Sequence, residues 1–140
     1  MRIRSLVALL AALALVLAVA GSATAVGGRP FVIELTGANE RPGPGDADGS
    51  GTARLWINPG AGSVCWSITW SGIAEPFAGH IHVAPVTDPG PVVVPLEPVA
   101  GGCTTADRAL LVAIFMDPGA YYVNIHNADF PGGALRGQLR

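Results

Sequence analysis

Three side chains in this sequence have both the type and the spacing for metal chemistry. They are His80, His82 and His126, the only histidines in the chain. On an extended strand, residues two apart face the same way. His80 and His82 therefore share one face, and Ile81 and Val83 the other. The same alternation in Tyr121–His126 sets Tyr122, Asn124 and His126 against Tyr121, Val123 and Ile125. Valine and isoleucine take the core side, which leaves all three imidazoles on the opposite face or in a cleft at its edge. If the two strands are neighbours in register, the rings converge. A His-x-His on one strand with a third histidine on another is a recurrent way to hold Zn²⁺ or copper, with a fourth position open for water. Asn124 and Tyr122 would stand beside such a site, and Asp129 or Glu75 would be carboxylates to complete it. The alternative is that the rings are half-exposed and bonded to backbone or to Asn124. A two-metal centre of the copper–zinc superoxide dismutase type needs more imidazoles than this chain owns.

Positioning these residues requires a sheet. Alternating or apolar runs at Phe31–Leu35, Thr52–Ile57, Ser63–Trp70, Ala78–Ala84, Val92–Leu96, Tyr121–His126 and Ala134–Leu139 read as strands between Gly/Pro clusters. Pro91 and Pro95 place the fifth at a sheet edge. Residues 37–51, rich in glycine and proline, form a loop. Thr104 or Thr105 would cap a helix over roughly 106–116, with Thr104 and Asp107 at capping-box spacing and Asp117-Pro118-Gly119 as its stop. The fold class expected is all-β. It would be an antiparallel sandwich or small barrel of about seven strands, immunoglobulin-like or superoxide-dismutase-like in its Greek key, with one short helix near 105–116.

The start of the chain points out of the cytoplasm. Arg2 and Arg4 precede the unbroken apolar run Leu6–Ala20, and Ala23-Thr24-Ala25 supplies a small-x-small site. This reads as a signal peptide over residues 1–25, leaving one domain over 26–140. The run is shorter than the roughly 20 residues a membrane span needs, and no other stretch is a candidate. Loss of the two leader arginines takes the formal charge from −2 to about −4, and the chain has no lysine. That excludes a basic nucleic-acid binder and a polybasic membrane-surface protein. In an exported chain Cys65 and Cys103 most simply form one disulfide; the alternative is two free buried thiols. The loop closed, about 39 residues, would be worth on the order of 3–4 kcal/mol.

Other constellations fall short of a function. Asp46-Ala47-Asp48-Gly49-Ser50-Gly51 begins like a calcium loop, but Ile57 stands where the bidentate glutamate belongs, so a solvated turn is expected. There is no Gly-x-Ser-x-Gly elbow and no lysine-bearing phosphate loop. Trp56 and Trp66 read as core, and Trp70, at a strand end, as the exposed one. Arg136 and Gln138 share a face, where a buried arginine would pair with a carboxylate.

The segment Pro118–His126 (PGAYYVNIH), followed by Phe130-Pro131-Gly132-Gly133-Ala134-Leu135-Arg136-Gly137-Gln138-Leu139, resembles the closing signature of the CHRD domain, named after chordin. Leu35-Thr36-Gly37 with Glu40 and Pro42 resembles its opening. Gly51-Thr52-Ala53 resembles its second strand, Gly79-His80-Ile81-His82 its central His-x-His, and Gly90-Pro91-Val92-Val93 the segment after that motif. The resemblance covers about residues 31–139. The glycines the family often has after His-x-His are here replaced by Val83–Asp88 and Pro89. The resemblance implies an extracellular or cell-envelope β domain and no reaction. In chordin the domain belongs to an antagonist of growth factors, a hint towards protein binding. Two functions are therefore expected: a non-enzymatic extracellular or envelope module that binds a protein or glycan, or a mononuclear Zn or Cu protein with redox or hydrolytic activity.

Overall fold

The structure, a computed structural model, describes residues 27–140, so the leader assigned to 1–25 lies outside the described residues. Strict alternation builds the inner wall of the sheet. In β1 (Arg29–Thr36) Phe31, Ile33 and Leu35 are buried while Val32 and Glu34 are exposed. In β2 (Ser50–Asn58) Ala53, Leu55 and Ile57 take the inner face, and in β3 (Ser63–Ser71) Val64, Trp66 and Ile68 do so. β4 (Ala78–Val83), β5 (Val92–Pro95), β6 (Gly101–Thr105), β7 (Tyr121–His126) and β8 (Leu135–Gln138) complete the set. All pair antiparallel in one sheet of order β5-β4-β7-β8-β1-β2-β3-β6. The sheet curls into a half-barrel, so inner residues from both its ends join one apolar cluster, including Phe31, Leu55, Trp66, Ile81, Val94 and Ile125.

One helix, α1 (Arg108–Met116), adds Leu111 and Ile114 to that cluster. Its start departs from the sequence expectation. Asp107 is the cap, its Oδ1 accepting from the N–H groups of Ala109 at 2.8 Å and Leu110 at 3.1 Å. Thr104 and Thr105 instead belong to β6, an eighth strand where about seven were expected. Its backbone pairs with β3 from Ser63↔Thr105 to Ser67↔Gly101. A glycine-led strand of five residues lacks the apolar alternation that betrays the others. No helix among the described residues is long and apolar enough to cross a membrane.

The tryptophans divide by the same alternation. Trp66 is buried, its indole N–H donating to Pro98 O at 3.0 Å. Trp56 stands on the outer face, half-buried, against the expectation of a core residue. Trp70 is half-buried against the core rather than exposed. Beside Trp56 in the ladder lie Cys65 and Cys103, directly opposite one another and joined by a disulfide with Cα atoms 4.0 Å apart.

The disulfide ties the edge strand β6 to β3 and closes a loop across a sequence separation of 38. The double variant Cys65→Ser/Cys103→Ser is expected to keep the far-ultraviolet spectrum and lose about 3–4 kcal/mol of unfolding free energy in urea titrations.

Candidate metal centre

Most strands of this sheet bury one face. β7 buries all six of its residues. Tyr121, Val123 and Ile125 enter the apolar cluster, and Tyr122, Asn124 and His126 face the other way. The loops after β1, β4 and β7 cover that second face. The result is a buried polar layer on the outer side of β4, β7 and β8, with Glu40, His82, Asn124, His126 and Arg136 all under one-tenth exposed. A buried polar group without a partner is costly, so the bonding of this layer is specific.

β4 and β7 pair in register, with Ala78↔His126, His80↔Asn124 and His82↔Tyr122. The three histidines singled out by type and spacing therefore meet. One ring nitrogen from each of His80, His82 and His126 lies within 4.8 Å of the others. Backbone carbonyls select the tautomers. His82 Nδ1–H donates to Gly90 O at 2.8 Å, and His126 Nδ1–H to Pro131 O at 3.0 Å. Each Nε2 is thus left as a bare lone pair, the second-sphere arrangement that prepares an imidazole for a metal. His126 Nε2 lies 3.2 Å from His80 Nδ1 and 3.1 Å from Asn124 Oδ1. His82 Nε2 is buried and has no hydrogen-bond partner.

A stack holds His82 from behind. Its ring lies on Tyr122, centroids 4.7 Å apart and planes 5° from parallel. The Arg136 guanidinium is 3.5 Å from the centre of the Tyr122 ring. Arg136 is itself 1% exposed and donates to Asp88 O at 3.0 Å and Pro85 O at 2.9 Å. It thereby pins the loop after β4. The carboxylate pairing expected for Arg136 is not made: its bonds go to backbone carbonyls and to Gln138 Oε1, and Glu40 acts on it only as a nearby charge. The Gly90 N–H donates to Tyr122 Oη at 3.2 Å, so this loop also carries the carbonyl that orients His82.

Glu40 is the site residue that strand periodicity could not find, because it lies in the loop after β1, where alternation has no meaning. It is 3% exposed, its Oε1 is buried without a hydrogen-bond partner, and Asn124 is among the groups that act on its carboxyl. A Cβ on Gly133 would fall 2.5 Å from that carboxyl, so only glycine fits over it. Glu75 and Asp129, the carboxylates expected from the sequence, are exposed and stand outside the cluster. In the Asp46–Gly51 segment Asp46 Oδ1 accepts from Asp48 N–H at 3.2 Å, the local turn expected.

Burial, with smaller effects from His126 and His82, pushes His80 down to about 4. Burial also lowers His82 and His126, opposed in each by the bond to a backbone carbonyl. The rings are therefore neutral at pH 7, as metal ligation requires. Below pH 6.5 the unfolded chain takes up protons that the native cluster refuses. Stability of the metal-free protein is expected to fall as pH drops from 6.5 towards 4, and His80→Asn to flatten that slope in denaturant titrations. Glu40 behaves oppositely. Burial pushes its carboxyl up to about 7, against the pull of Arg136 and of bonds to Arg41 and Asn124. Between pH 4.5 and 7 the native state holds a proton that the unfolded chain has released, so this group lowers stability as pH rises. Glu40→Gln is expected to be more stable than the parent at pH 8, by up to ~3 kcal/mol, and close to it at pH 4.5.

No curated protein and no solved structure shows a significant match to this chain. A family comparison does. The CHRD domain matches residues 31–139, the span from the third residue of β1 to just past β8, and all of the buried polar layer. The chain is a member of the CHRD domain family, a small extracellular-type β domain.

Proposed function

We propose that this chain is an exported extracellular domain that holds one Zn²⁺ or copper ion on His80, His82 and His126. One observation carries the reading. Two imidazole Nε2 lone pairs, that of His82 buried without a partner and that of His126 facing His80 Nδ1 and Asn124 Oδ1, belong to rings whose ligating nitrogens lie within 4.8 Å of one another. Acceptors meet there, and among the three rings His80 alone has a proton to share. A cation is the simplest occupant that such a set of acceptors stabilises. Neutral imidazoles favour zinc and copper over calcium or magnesium. Export is supported by the leader-like residues 1–25 and by the disulfide, which belongs to an oxidising compartment. In this reading the ion stabilises or equips a non-enzymatic module of the extracellular space or cell envelope, whose partner is a protein or glycan.

The test is elemental analysis of mature protein isolated from the exported fraction without a histidine tag. Near one equivalent of zinc or copper is expected in the parent chain, with loss in His82→Ala and retention of the sheet by circular dichroism. Saturating metal should raise the unfolding free energy, by about 2.7 kcal/mol at a free concentration one hundred times Kd. Failure to take up either metal on reconstitution overturns the reading.

A further inference from the structure

The contact between His126 and Asn124 is chemically odd. Asn124 Oδ1 is 3.1 Å from His126 Nε2. That nitrogen has no proton to give, because Nδ1–H of the same ring goes to Pro131 O. Two lone pairs therefore face one another at hydrogen-bond distance. Oδ1 is the amide atom that faces the ring. Asn124 is 2% exposed on a strand buried on both faces, so its side chain is fixed in place.

A shared cation removes the repulsion. Ligands bound tetrahedrally at 2.0–2.1 Å lie roughly 3.3 Å apart. The separations from His126 Nε2, 3.1 Å to Asn124 Oδ1 and 3.2 Å to His80 Nδ1, are close to that edge. Asn124 also lies beside His82, so its side chain reaches two of the three imidazoles.

Resting on the metal reading above, we propose that Asn124 Oδ1 is the fourth donor of the centre. The site is then a closed set of three imidazoles and one amide oxygen. All four donors are neutral, and the buried carboxyl of Glu40, close enough to Asn124 to feel its amide, offsets the charge of the ion. A closed site has no exchangeable position. The ion is held for structure or for electron transfer, and it does not bind a substrate or activate water.

The test uses the mature protein loaded with Co²⁺, whose visible ligand-field bands report coordination, titrated with azide. The expected result is one equivalent of Co²⁺ whose bands azide leaves unchanged. Asn124→Ala should still bind Co²⁺, with a Kd weakened about ten- to a hundredfold, and its bands should shift as azide enters the vacated position. Bound Co²⁺ whose bands shift with azide in the parent chain overturns the fourth-ligand assignment and leaves the three-histidine site standing. Bands unmoved by azide in both proteins overturn it as well, since something other than Asn124 then closes the site. If the parent chain takes up no Co²⁺, Zn²⁺ or copper, the metal reading itself falls. The parent-chain titration decides the matter even if Asn124→Ala does not fold.

Discussion

Burial of β7 on both faces is the constraint on which the rest of the centre depends. One face closes the apolar interior, which any β domain of this size requires. The other cannot be apolar, because it carries Tyr122, Asn124 and His126. Covering that face with loops removes water from three polar side chains at once. Each then needs a partner supplied by the protein, and the loops provide them as backbone carbonyls and N–H groups. The loops that hide the layer are thus also the ones that set its proton positions.

The layer contains both signs of charge, yet it is not organised as an ion pair. Arg136 spends its terminal Nη–H groups on main-chain carbonyls and its face on Tyr122. Glu40 feels that charge while remaining half-way to protonation at neutral pH. The two therefore act at a distance, Arg136 through Tyr122 towards His82 and Glu40 from beside Asn124. Their placement makes the histidine cluster a product of residues from β4, β7 and β8 and the loop after β1, widely separated in sequence. The segments that carried the CHRD resemblance are these same segments, so the family's signature and the buried polar layer coincide.

Much of this was legible in the chain. Tyr121–His126 reads as a strand with the bounds it has in the structure, and alternation alone places His80, His82 and His126 on one side. The convergence of the rings depended on the pairing of β4 with β7, which alternation cannot supply. Three things escaped for physical reasons. β6 carries glycines and threonines in place of an apolar stripe, and its identity rests on its partner strand. Trp56 is large and apolar but falls on the outer phase of its strand. Glu40 is a charged residue in a proline- and glycine-rich loop, the usual signature of solvent exposure, and only the overlying Gly133 and the neighbouring Asn124 show that it is enclosed.

A sheet that curls without closing keeps two free edges, and here these are β5 and β6. Unpaired edges invite other strands to add on. β5 is four residues long, with Pro91 just before it and Pro95 at its end, so it presents few N–H groups to a visitor. β6 is five residues long and fastened by its disulfide to the strand behind it, so it is not free to peel away and expose the longer β3. Any folded chain meets many copies of itself at the concentrations at which it is made. The two ends of this half-barrel offer those copies only a few residues of ladder on which to aggregate.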